Sequence, residues 1–99
     1  MPAEPTQAEL VDLKTMRLGF QNIGPGIGSL EMFINVEHIV LSGNYIEEIS
    51  RDSFRTNLRL QFLSLAKNKL TEIANLNHLT ALQFLDLSNN QIEVVSDLN

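Results

Sequence analysis

One eleven-residue pattern, LxxLxLxxNxI, recurs along this chain and leaves little freedom in how it can fold. It reads LQFLDLSNNQI at 82–92, LQFLSLAKNKL at 60–70 and, with β-branched substitutions, VEHIVLSGNYI at 36–46. A degenerate copy, LKTMRLGFQNI at 13–23, carries Gln21 where the others carry Asn44, Asn68 and Asn90. The copies start 23, 24 and 22 residues apart. A repeat of this length is one supersecondary unit that cannot bury its apolar side alone, so successive units must stack. The pattern also accounts for an unusual pairing in the composition, in which Leu occurs 16 times and Asn 10 times in 99 residues.

Each part of the unit has a physical reading. The xLxLx core alternates at period two, which predicts a short strand with its Leu side chains inward. One strand per unit, stacked, gives a parallel sheet with about 4.8 Å between strands. The chain must then turn away. An Asn side chain there can both donate to and accept from backbone groups that the turn leaves unpaired. Asn44, Asn68 and Asn90 are therefore expected to form a buried, satisfied column, with Gln21 serving at its end in looser geometry.

The return path shows period three. Apolar residues fall at Ile73, Leu76, Leu79 and Leu82, and at Ile27, Leu30, Phe33 and Val36. This spacing suits a tight 3₁₀-like or extended segment better than a full α-helix. The second return, from Ile49 through Phe54, is two residues longer and has Asn57 at an apolar position, which predicts a locally different, helical return. Arg51, Arg55 and Arg59 would then form one basic ridge, neutralised by Asp52 and Glu48 on a solvated convex face. At the start, Thr6 and Glu9 form a capping box, which predicts a short helix over residues 7–13 covering the first strand. At the other end the period places a fifth unit near residue 104. Leu87, Ile92, Val95 and Leu98 would thus present an apolar side to a further repeat or another chain.

Composition and motif searches exclude several function classes. The net charge of −5 lacks the clustered cations that a phosphate-backbone grip needs, so no nucleic-acid partner is expected. Without Cys there are no disulfides, thiol nucleophiles or thiolate zinc sites. The polar opening Met1 to Thr6 has neither a basic nor an apolar leader region, and no apolar run is long enough to span a membrane. A soluble, cytoplasmic chain is the expectation. Gly24-Pro25-Gly26 is not followed by the Lys-Ser/Thr of a phosphate loop and reads as a turn. His38 and His78 lie far apart with no ligand cluster, Glu47-Glu48 reads as a solvated pair, and no GxSxG occurs. No cofactor, metal or catalytic constellation is expected.

These copies resemble the leucine-rich-repeat superfamily over residues 13–98. The copy from Leu60 to Leu79 is similar to the intracellular 22-residue subfamily typified by the leucine-rich regulatory subunit of protein phosphatase 1. The strings at 62–66 and 83–88 also resemble ciliary and flagellar axonemal members. The resemblance implies an α/β solenoid of about four repeats (13–35, 36–59, 60–81 and an incomplete 82–99) behind an N-terminal tail and capping helix at 1–12. It implies a short parallel sheet on the concave face, and a partner protein bound there.

The concave face can be read in columns. The first is Thr15, His38, Phe62 and Phe84; the second is Arg17, Val40, Ser64 and Asp86; the third is Gly19, Ser42, Ala66 and Ser88. Aromatic residues beside small ones suit a partner helix or loop. His38, Val40, Phe62, Ser64, Phe84, Asp86 and Arg17 are the candidate partner-binding residues, with opposite charges at opposite ends of the second column. The expected function is a non-catalytic scaffold in a cytoplasmic or axonemal (cilium or flagellum) assembly. The alternatives are a regulatory subunit of an enzyme such as a protein phosphatase, or an end fragment of a longer repeat protein.

Overall fold

The computed structural model describes residues 12–95. Each copy of the pattern contributes one three-residue strand: β1 (Thr15–Arg17), β2 (His38–Val40), β3 (Phe62–Ser64) and β5 (Phe84–Asp86). They form a parallel sheet in the order β1-β2-β3-β5, with Thr15, His38, Phe62 and Phe84 in register. The period read from the sequence is thus the hydrogen-bonding register of the sheet. Between β3 and β5 lies a two-residue strand, β4 (Glu72–Ile73), which pairs in parallel with β6 (Val94–Val95) on the return side.

The apolar columns fill the middle of the coils. Ile39, Leu63, Leu60, Leu65, Leu70 and Phe54 have no exposed surface, whereas Leu85, equivalent to Ile39 and Leu63 by register, is 38% exposed. The core therefore sits under the two central coils and thins towards both ends. Each fully buried Leu or Ile contributes about 1.5–3 kcal/mol through apolar area removed from water.

The asparagine column forms as the pattern requires. Asn68 accepts from the Ile46 N–H and donates to the carbonyls of Leu41, Leu65 and Ala66, at 3.0–3.1 Å. Asn44 accepts from Gln21 and Ile23 and donates to Leu18, Leu41 and Ser42. Asn90 accepts from Leu70 and donates to Leu65, Leu87 and Ser88. Every Asn thus seals its own turn and the coil before it. Gln21 makes only the local part of this pattern, donating from Nε2 to the Gly19 carbonyl at 3.2 Å in an exposed position.

One residue before each column position has a left-handed backbone: Phe20 (φ 56°), Gly43 (φ 70°), Lys67 (φ 58°) and Asn89 (φ 58°). This is where the chain swings out of the sheet. At the second of these a Cβ would come within 2.3 Å of the exposed Phe20 ring, which would have to swing aside to admit it. Gly24 is needed because a Cβ there would meet the Tyr45 carbonyl oxygen at 2.2 Å.

Of the two helical expectations, one lies largely outside the described residues and the other is corrected. The helix at residues 7–13 lies outside the described residues except for Asp12 and Leu13, which are not helical. Among the described residues there is no helix at all, so the architecture there is parallel strands joined by turns, not an α/β alternation. The return after Ile49 is likewise a run of turns over 51–56. It uses the same pair of three-residue closures as its neighbours: Asn57 N–H to Phe54 and Leu60 N–H to Asn57, matching Phe33 to Leu30 and Val36 to Phe33, and Leu79 to Leu76 and Leu82 to Leu79. The segment accommodates its extra length in a turn closed by Ser50 and Ser53, whose hydroxyls lie 3.0 Å apart. Asn57 is fully buried, donating to the carbonyls of Leu30 and Phe33. It continues the period of three with an amide where its neighbours use Phe33 and Leu79.

Candidate functional site

Parallel register decides what the concave face presents. Side chains at equivalent positions stand one strand spacing apart, about 4.8 Å, which is close to the distance at which aromatic rings stack. Phe62 and Phe84 obey this closely: their ring centroids are 4.5 Å apart and their planes differ by 2°. His38 extends the stack, its ring 5.8 Å from Phe62 at 30°. Phe84 is 49% exposed, and Phe62 is half-buried between its two neighbours. An exposed three-ring stack is apolar surface that the fold itself has not covered.

Beside the stack, Thr15, Arg17, His38, Val40 and Phe62 line an open cleft of about 410 Å³. Arg17 is exposed at the β1 end. Asp86 stands three strands away at the β5 end, in register with Ser64. The Ser88 side chain, and then the Ser88 N–H at 3.0 Å from Oδ1, hydrogen-bond the Asp86 carboxylate and hold its pKa below the ordinary value. Ser64 departs from expectation: at 8% exposure it belongs to the floor of the sheet, not to its contact surface, because Val40 and Asp86 flank it. The sequence columns therefore bring together His38, Val40, Phe62, Phe84, Arg17 and Asp86, with Ser64 beneath them.

A second concavity of about 620 Å³ was not visible from local sequence. Glu47 and Glu48 line it with Lys69, Thr71, Glu72 and Asn75 of the following coil. The pair read as a lone solvated turn is thus one wall of a groove between coils. The signal was present in the period, since Glu48 and Glu72 are one repeat apart. No group of three His, Asp or Glu among the described residues is placed to hold a metal ion. His78 bonds the Phe54 carbonyl at 2.7 Å and so serves the return segment.

The basic ridge is also corrected. Because residues 51–56 are turns, Arg51, Arg55 and Arg59 do not share a helix face, and Arg55 pairs with Glu31 of the preceding coil instead of Asp52 or Glu48. Thr56 donates to the Glu31 carbonyl at 2.7 Å, so both contacts tie one return segment to the next. At the C-terminal coil, Leu85, Val94 and Val95 are exposed while Leu87 and Ile92 are only half-buried; Leu98 lies outside the described residues.

A family model for the leucine-rich repeat matches residues 34–92, more than half of the chain. The chain belongs to the leucine-rich-repeat family. The match begins just before the second repeat, which agrees with the first repeat's departure from the pattern at Gln21. No curated protein matches the chain. Leucine-rich-repeat domains generally mediate protein–protein interaction and are typically non-catalytic, so the exposed face of this one is read as a binding surface. No helix among the described residues is long and apolar enough to cross a membrane.

Proposed function

We propose that this leucine-rich-repeat chain is a non-catalytic scaffold module that holds a partner protein on its concave face. The observation that carries the reading is the solvent-exposed Phe62–Phe84 stack, continued by His38, with the cleft between it and Arg17. Rigid aromatic surface held by a sheet loses little entropy on binding, which is why such groups act as interface anchors. The working setting is a cytoplasmic or axonemal assembly, supported by the likeness of the strings at 62–66 and 83–88 to axonemal members of the family. A second reading, a regulatory subunit of an enzyme such as a protein phosphatase, is supported by the 22-residue copy from Leu60 to Leu79. The exposed Leu85, Val94 and Val95 support a further repeat or chain against the last coil.

The experiment is affinity capture with the parent chain and with Phe62→Ala plus Phe84→Ala. The proposal expects one set of proteins to be lost from the double variant. Cytoskeletal components in that set favour the scaffold, and an enzyme catalytic subunit favours the regulatory reading. Capture that is unchanged by the double substitution rejects the concave site.

A further inference from the structure

Resting on the concave-site reading, we propose that the occupant of the trough is an amphipathic α-helix whose acidic and basic side chains lie two to three turns apart, the acid meeting Arg17 and the base meeting Asp86. The face supplies four reasons. First, the backbone groups of the central strands are already paired within the sheet, through bonds such as Leu41 N–H to Ser64 and Leu65 N–H to Asp86. An extended peptide lying on this face would bring unpaired N–H and C=O groups of its own, whereas a helix arrives with its backbone satisfied.

Second, the cross-section is stepped. The His38–Phe62–Phe84 stack stands on one side, and the column Gly19, Ser42, Ala66 and Ser88 leaves a low shelf on the other. The wall offers rings to large apolar side chains, and the shelf admits a backbone at close approach. A helix about 10 Å across needs both.

Third, the ends of the trough carry opposite charge. Arg17 is exposed at the β1 end. Asp86 is at the β5 end, its carboxylate held by the Ser88 N–H at 3.0 Å. Fourth, the length is set by the sheet. Three strand spacings of about 4.8 Å separate Arg17 from Asp86, roughly 14 Å, which is nine to ten residues of helix at 1.5 Å each. Residues seven or eleven apart return to the same helix face and bracket that distance.

The test uses the full chain and four synthetic 18-residue helices sharing one Leu/Ala stripe. Their two end positions, eleven residues apart, carry Glu and Arg, Glu and Glu, Arg and Arg, or Gln and Gln. Affinities are read by fluorescence anisotropy at low and high salt. The Glu–Arg helix is expected to bind the parent chain best, by about five-fold for each mismatched charge in the others, and the margin is expected to shrink at high salt. Arg17→Glu should shift preference to the Arg–Arg helix, and Asp86→Arg to the Glu–Glu helix. Both residues are at the surface, and unchanged circular dichroism verifies the fold. Binding by none of the four, or equal binding by all, overturns the helix-and-charge inference. If Phe62→Ala plus Phe84→Ala abolishes binding while the charge swaps leave preference unchanged, the charge matching fails and the concave site stands. If the double substitution leaves binding intact, the concave site fails too.

Discussion

Replacing Asn68 by Leu tests the joint that holds one coil to the next. The Asn68 side chain makes four hydrogen bonds, three as donor and one as acceptor. Its three carbonyl partners each keep another donor: Leu41 keeps Asn44, Leu65 keeps Asn90 and Ala66 keeps the Gly43 N–H. The Ile46 N–H is bonded to Asn68 Oδ1, and Ile46 has no exposed surface through which water could replace it. The orphaned donor costs about 1–3 kcal/mol, and the weakened carbonyls about 1 kcal/mol more. For a domain that is 5–15 kcal/mol stable, a loss of roughly 2–4 kcal/mol lowers Tm by about 10–25 °C. Asn90→Leu removes a matching set and orphans the Leu70 N–H, which likewise has no exposed surface, so a loss of similar size is expected. Urea melts followed by circular dichroism give both values. Parent-like unfolding of either variant would refute the sealing role assigned to the column.

Other expectations follow from the same bonds. Asn57→Leu should be nearly neutral or stabilising in the same melts. The Leu30 and Phe33 carbonyls keep the Phe33 and Val36 N–H groups, and the change removes Asn57 Oδ1, a buried acceptor without a partner. Gly24→Ala should cost more than Gly43→Ala: its Cβ meets a backbone carbonyl, whereas at Gly43 the 71%-exposed Phe20 ring can swing aside, leaving about 1 kcal/mol for the left-handed backbone. Ser88→Ala should raise the Asp86 pKa towards 3.8, measured by NMR titration. Because the folded value is lowered, this contact contributes above the ordinary value and fades as pH falls through the folded one, so neutral-pH stability should not respond to small pH changes at this site.

Most of the coil stack was legible because its information is periodic. Spacings of 22 to 24 residues fix register, and register fixes which columns are core, which seal the turn and which face the concavity. The ring stack of Phe62 and Phe84 follows from that alone. Three features were hidden for definite reasons. The return at 51–56 looked helical because it is two residues longer and carries Asn57 at an apolar position, yet Phe54, Asn57 and Leu60 keep the period of three that the turns obey. Hydropathy misled there, since a buried amide reads as an interruption when its backbone partners lie in another coil. Ser64 was placed on the contact surface by alternation, but its neighbours cover it. The Glu47–Glu48 groove needs Thr71 and Glu72 from the next coil, so no local window contains it.

The same periodicity explains where this molecule can interact at all. Each Asn binds the coil before it, so every coil is completed by its successor: Leu18 by Asn44, Leu41 by Asn68 and Leu65 by Asn90. Within the central coils this closes the backbone, and only side chains remain to meet a partner. That leaves the concave columns, where Phe84 is exposed and opposite charges stand at the two ends, as the face whose recognition depends on side-chain identity. At the last coil the rule itself predicts a different kind of contact. Leu87 and Ile92 stand where Leu65 and Leu70 meet Asn90, so whatever packs on Leu85 and Val94 gains most if it brings an amide to the same two groups. On the proposed function, a concave partner would be chosen by its side chains, and a chain packing on the last coil by how well it continues the coil.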